Sequence, residues 1–233
     1  MSFDDKGMIE VPIRNKEVLA ILDKFRRIKD EEGFEESMHA VCDAQKDQRE
    51  YWCSKEYLKK VMDQKKGHDG FPEVCYAYDF KIRDPLRTSF SRDASTKWRT
   101  DVTRKLGELN EELQSIVSGR FNALCSVYPP GGFISWHNNA NAHAYNIIFS
   151  WSETGDSFWE HVDPKTGEVV HIPDPAGEWT CKAGYFGHYG EPEHLLYHKA
   201  ETNCWRMTVS YMYTVDEGSR FMRESALEEI MSE

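Results

Sequence analysis

In the stretch YPPGGFISWHNNANAHAYNIIFSW, residues 128–151, His137 stands two positions before Asn139, after a Pro-Gly turn and ahead of a strand-like run. Side chains two apart on a strand point to the same face. The His137 imidazole and the Asn139 amide oxygen can therefore converge on one ion, with Asn138 turned away. Two imidazoles and one carboxylate on one side of an ion form a set suited to non-haem Fe(II), and they leave the opposite side open for reactants. The second imidazole would have to come from a distant strand.

The stretch HLLYHKAETNCWRMTVSYMY, residues 194–213, offers one. His198 precedes Arg206 by eight residues, and the polar cluster between them is long enough for a hairpin that would set the two on adjacent strands. Along the last strand Arg206, Thr208 and Ser210 share one face, and Trp205, Met207, Val209, Tyr211 and Tyr213 share the other. A guanidinium turned into an apolar interior is costly unless an anion meets it, and the end of a dicarboxylate fits its planar fork. His194 is the alternative to His198, with the same strand parity. The apolar run in LLYHKA favours His198, whereas the GEPE before His194 reads as a loop. His143, His161, His171 and His188 read as turn or solvent-facing strand positions.

In this order the residues resemble the Fe(II)/2-oxoglutarate-dependent oxygenases, in particular the prolyl 4-hydroxylase-like branch. The resemblance is carried by Tyr128-Pro129-Pro130-Gly131, His137-Asn138-Asn139, His198 and Arg206-Met207-Thr208-Val209-Ser210, and spans about residues 120–214. It implies a double-stranded β-helix, or jelly roll, buttressed by N-terminal helices. It also implies His137 and His198 as iron ligands, with Asn139 where the family carries a carboxylate. Arg206 would hold the far carboxylate of 2-oxoglutarate with help from Tyr128 and from Ser210 or Thr208. The implied cofactors are Fe(II) and 2-oxoglutarate, with ascorbate as reductant. The implied reaction hydroxylates a small-molecule or peptide substrate and releases succinate and carbon dioxide.

Asn139 is the departure from the family pattern. A neutral amide is a poorer Fe(II) ligand than a carboxylate, so metal should bind less tightly. It opens an alternative, a catalytically degenerate jelly-roll module that keeps the anion pocket for a binding or structural role. A cupin-like metal site is disfavoured because no His-x-His occurs. A halogenase would need a very small residue where Asn139 stands.

The elements that must position these residues divide the chain. Val18, Leu22, Phe25 and Ile28 recur at helical spacing after Asn15, a cap residue, and predict a helix over 16–30. A second helix should follow Ser54, carry Tyr57, Leu58, Val61 and Met62, and end near Gly67. A third should run over 101–119 on Val102, Leu106, Leu109, Leu113, Ile116 and Val117, and stop at Gly119. Residues 73–84 alternate as one strand, and 85–99 read as a loop. From Phe121 the period becomes two, in short runs broken by Gly, Pro and Asp, with DPKTG as a hairpin turn around Gly167. The tail, 220–233, reads as a helix. The expected fold is mainly β with N-terminal helices (α+β). One domain covers 1–233, with 1–119 as mainly helical support, 120–214 as the jelly-roll core and 215–233 as a C-terminal helix.

With 29 Lys plus Arg against 40 Asp plus Glu in 233 residues, the formal charge is -11, which argues against duplex nucleic acid as a partner. The loose basic stretch of Arg83, Arg87, Arg92, Arg99 and Arg104 reads as residues paired with that acidic surface. The first residues are acidic where a secretory leader needs positive charge, and no run is long enough to span a membrane, so a cytoplasmic location without membrane attachment is expected. Six cysteines without a C-x-x-C pair predict reduced thiols, several of them buried.

Overall fold

The computed structural model describes residues 7–34, 48–64, 72–79, 96–118, 121–139 and 144–233. Helix α1, Lys16–Arg27, begins where Asn15 accepts hydrogen bonds from the main-chain N–H of Glu17 (2.9 Å) and Val18 (3.1 Å). It tightens into a 3-10 turn over Ile28–Asp30. The Asn15 amide also donates to the Glu229 carbonyl, so one residue ties this helix start to the C-terminal helix. Asn15→Ala is expected to cost about 1 kcal/mol for the cap, more with the lost tether, read as a lower midpoint in urea. Helix α2, Arg49–Trp52, is a single turn, and α3, Lys55–Gln64, follows Ser54, whose hydroxyl accepts from Tyr57 N–H.

Helix α4 spans Thr96–Val117 and so begins inside the segment 85–99 expected as a loop. The helical pattern continues N-terminally through polar residues that carry no periodic signal. Ser118, with φ 49°, takes the left-handed position expected at Gly119. Helix α5, Glu217–Met231, starts three residues early because Asp216 caps it. Gly67, Gly119, Arg83, Arg87, Arg92 and His143 lie outside the described residues. Arg104 pairs with Glu108 at 2.6 Å, in line with the reading of the basic stretch. No helix among the described residues is long and apolar enough to cross a membrane.

The strands are β1 Ile9–Val11, β2 Cys75–Tyr76, β3 Tyr78–Asp79, β4 Phe121–Tyr128, β5 Phe133–His137, β6 Tyr145–Ser152, β7 Ser157–Val162, β8 Val169–Pro173, β9 Trp179–Tyr185, β10 His198–Thr202 and β11 Arg206–Tyr213. They form two antiparallel sheets, ordered β1-β9-β6-β11-β4-β3 and β2-β5-β10-β7-β8. From β4 to β11 the chain changes sheet at every connection except the β7–β8 hairpin, whose turn holds Gly167 at φ 72°. That alternation is the double-stranded β-helix, a jelly roll, as expected for a mainly β chain with supporting helices. Of the expected single strand over 73–84, residues 80–84 lie outside the described residues and the rest forms two short pieces: β2 pairs with β5 in one sheet and β3 with β4 in the other.

The first sheet has two unlike faces. Phe149, Trp151, Met207, Val209, Tyr211 and Tyr213 pack with Val18, Leu22, Phe25, Val102, Leu106 and Leu113 in the largest core, beneath the helices. Burying such side chains stabilises by roughly 1.5–3 kcal/mol each. The opposite face turns toward the second sheet, where Ile148 packs with Trp159, Phe186, Leu196 and Ala200 between the layers. The far side of the second sheet is covered by Tyr57, Leu58 and Val61 of α3, on Trp136, Val162, Leu195 and Tyr197.

Candidate metal centre and anion pocket

His137 closes β5 and His198 opens β10, and the two are directly paired across the ladder. Both are buried, with ring centroids 4.1 Å apart and planes at 50°. Between this pair and the next, Ile134 opposite Ala200, β5 holds one more residue than β10. This bulge lets His137 and Ile134, three apart, both face inward, which strict alternation would forbid. His137 donates Nδ1–H to the Ser135 carbonyl (2.8 Å), and His198 donates Nδ1–H to the Leu196 carbonyl (3.2 Å). A carbonyl can only accept, so each ring carries a hydrogen on Nδ1. Such an Nδ1–H anchor is the usual way a metal-binding imidazole is held, with the ring orientation fixed by the main chain. Burial and the neighbouring His137 hold the His198 pKa well below the usual histidine range, so His198 is neutral and fit to act as a donor.

Phe186 stands edge-on to His198, with centroids 4.9 Å apart. It is brought there by the turn at Gly187, where φ is 77° and an added Cβ would fall 2.3 Å from the His194 carbonyl oxygen. Gly187→Ala is therefore expected to lose about 1–2 kcal/mol from the left-handed backbone alone, and more from the clash. A thermal melt would show it as a reduced Tm.

His194 lies exposed in the 3-10 turn Pro192–His194, with its ring 6.1 Å from that of Tyr185, and is not brought to His137. Because β5 ends at His137, the two-residue strand argument does not reach Asn139, which is half-buried just beyond the strand. Among the described residues no three His, Cys, Asp or Glu side chains gather as a metal cluster. His171 is exposed and paired with Glu160 at 2.9 Å, and His188 accepts from Gly190 N–H in a turn, as expected. His161 corrects the sequence reading: it is 7% exposed and faces inward directly opposite His198 on β7. On alternate positions of SFWEHV an inward and an outward His look alike.

The expected hairpin between His198 and Arg206 does not form. β10 and β11 belong to different sheets, joined by a corner in which the Thr202 hydroxyl bonds both the N–H (3.1 Å) and the carbonyl (2.6 Å) of Cys204. Arg206 thus faces the histidine sheet from the opposite layer. It is 2% exposed and pairs in register with Tyr128, whose ring lies 5.3 Å from its guanidinium carbon. Arg206 donates from Nε to Asp174 Oδ2 (2.8 Å), from Nη1 to Thr208 Oγ1 (2.6 Å) and from Nη2 to Ser150 Oγ (3.2 Å). Thr208 therefore serves Arg206 itself. Ser210 is buried farther along the same strand.

Asp174 and Lys182 escaped the sequence reading. Asp174 follows β8 and also accepts from the Ser157 hydroxyl (2.9 Å). Lys182 on β9 is 3% exposed, with Nζ 3.6 Å from Asp174 Oδ1, an ion pair without a hydrogen bond. Burial would raise the Asp174 pKa, but Arg206 and Lys182 outweigh it and hold the carboxyl below its ordinary range. Burial pulls the Lys182 ammonium down against the attraction of Asp174. Two basic side chains thus share one carboxylate. A lysine in a strand rarely signals burial, and an Asp between two prolines reads as a turn.

Behind His198 the outer face is clamped. Lys199 is buried between Glu160 (3.0 Å) and Glu201, and Arg49 of α2 reaches Glu201 (2.7 Å) and Asn203 (2.7 Å). This network fixes the β10 backbone from the side away from the imidazoles.

No family model matches the chain, and no curated protein matches it. Among solved structures it is similar to a Pseudomonas putida prolyl-4-hydroxylase, at 11% identity and TM-score 0.40 over 90% of this chain and 94% of that one. It is also similar to the viral collagen prolyl hydroxylase of Paramecium bursaria Chlorella virus-1, at 11% identity and TM-score 0.31 over 69% and 91%. A third likeness is to OsALKBH1, at 10% identity and TM-score 0.26 over 40% and 48%. The jelly-roll assignment rests on the strand order of this chain.

Proposed function

We propose that the protein is a non-haem Fe(II)/2-oxoglutarate-dependent oxygenase that hydroxylates a small-molecule or peptide substrate. The observation that carries this reading is the in-register pair His137 and His198, both buried on one face and each anchored through Nδ1 to a main-chain carbonyl that fixes its ring. Both residues would hold Fe(II), with Asn139 as a neutral third donor. Arg206 and Lys182 would hold the far carboxylate of 2-oxoglutarate, since together they exceed Asp174 by one positive charge. Tyr128 would wall the guanidinium, and Ser210 would stand beside it. When bound, Fe(II), 2-oxoglutarate and oxygen supply the oxidising chemistry, with succinate and carbon dioxide as by-products and ascorbate as reductant. The chain's part is to orient the ion through two fixed rings, neutralise the cosubstrate carboxylate, and exclude water with Trp159, Phe186 and Ala200.

A second reading, a jelly-roll binding module without turnover, is favoured by one observation: Asp174 already meets Arg206, so the fold does not require an external anion to neutralise it. Succinate release from 2-oxoglutarate, with Fe(II) and ascorbate added to the folded protein, separates the two. Release that is lost in His137→Ala supports the oxygenase. Its absence from iron-loaded wild type supports the binding module.

A further inference from the structure

The inward face of the second sheet carries a third imidazole in line with the two of the candidate metal centre. β10 lies between β5 and β7, and His198 is directly opposite His137 on one side and His161 on the other. Directly opposed residues share a face, so the three rings form one row. They are held differently, however. His137 and His198 are each anchored by Nδ1–H to a carbonyl two residues earlier. The His161 Nδ1 is buried and has no hydrogen-bond partner among the described residues. Its ring lies on Trp159 instead, with centroids 4.7 Å apart and planes at 27°.

These differences separate His161 from a third metal ligand. A ligating imidazole is usually fixed by a hydrogen bond from its other nitrogen, and His161 has none. Among the described residues it also does not join a cluster of three such side chains. A buried polar nitrogen left unmet costs on the order of 1–3 kcal/mol, and in native proteins such groups call for a specific explanation. Trp159, which stacks on the ring, packs with Ala200, Ile134 and Ile172, so the side of the wall beside His161 is apolar. A single unmet nitrogen beside apolar side chains matches one neutral polar group better than an anion, which would need several donors.

We infer that His161 is a substrate-recognition residue, hydrogen-bonding a neutral amide or hydroxyl of the molecule that lies against the His137–His198 pair. This rests on the metal-centre reading above, and the test keeps the two apart. The full chain, labelled with ¹⁵N-histidine and loaded with Zn(II), is titrated with N-methylacetamide as the neutral probe and acetate as the anionic control. Imidazole nitrogen shifts are followed by NMR.

Zn(II) should move Nε2 of His137 and His198 and leave His161 unmoved, and N-methylacetamide should then move Nδ1 of His161. His161→Phe should weaken probe binding by at least about tenfold. His161→Asn, which returns a nitrogen near the Nδ1 position, should restore part of it and keeps the test readable where the larger ring perturbs the sheet. A His161 that ignores the amide, or answers only acetate, overturns the inference while the metal-centre reading stands. A zinc-bound shift at His161 also overturns it, making that residue a third ligand. If Zn(II) moves neither His137 nor His198, the metal-centre reading fails, and the inference fails with it.

Discussion

Asp174→Asn is expected to destabilise the protein by about 3–5 kcal/mol, the range found when one partner of a buried ion pair is removed. The amide can still accept from Arg206 and Ser157, so packing and most hydrogen bonds survive and the loss is one of charge. It leaves the Arg206 guanidinium and the Lys182 ammonium both buried with no counter-charge between them. Adding Lys182→Met removes one of the two and should recover part of the loss. A double-mutant cycle in urea measures that recovery as a coupling, since the residues are in contact. If Asp174→Asn cost no more than a surface substitution, Asp174 would not be what balances these cations.

The pH dependence follows from the same pair. The Asp174 carboxyl is held below its ordinary value of 3.8 in the folded protein. Its pairing therefore contributes fully above that value and is lost as pH falls through the lower, folded one. The stability gap between wild type and Asp174→Asn should be constant through neutral and mildly acidic pH. It should close only in strong acid. Urea titrations at a series of pH values would show this convergence.

The second large effect concerns the ion. His198→Ala should lower Co(II) or Fe(II) affinity by at least about 100-fold, because it removes one of two fixed nitrogen donors and leaves a site with too few ligands to hold a divalent ion. Asn139→Asp should act in the opposite direction, raising affinity by about 10- to 100-fold, since a carboxylate adds a unit charge and a harder oxygen where the wild type offers an amide. Calorimetric titration of the apo-protein reads both. An Asn139→Asp protein with unchanged affinity would place residue 139 outside the coordination sphere, and the site would then hold its ion through two imidazoles and water.

Much of this arrangement was legible in the sequence, for a physical reason. A strand's period of two assigns each residue to a face, so the split of β11 into Arg206, Thr208 and Ser210 against Met207, Val209, Tyr211 and Tyr213 could be read directly. The turn at Gly167 was equally plain. Periodicity does not say which sheet a strand joins, so His198 and Arg206 read as hairpin neighbours when a corner at Thr202–Cys204 sends them to opposite layers. Nor does it reveal a bulge, which is why the inward turn of both Ile134 and His137 had no sequence signal. Asp174, Lys182 and His161 were missed because charged and polar residue types suggest solvent. Only the closed barrel supplies the partners that make burial tolerable.

The alternation of the chain between layers has a consequence for how the protein is made. β5 enters its sheet with β2 on one side only, and its other neighbour, β10, arrives only after β6, β7, β8 and β9 have been synthesised. The two imidazoles therefore meet late, through a contact of long sequence separation, and folding should be slow by the contact-order relation. A nascent chain halted before β10 would leave His137 and His161 on two strand edges with the place of His198 empty between them, so on the metal-centre reading ion capture would be coupled to completion of the barrel and metal added during refolding should act on the last step.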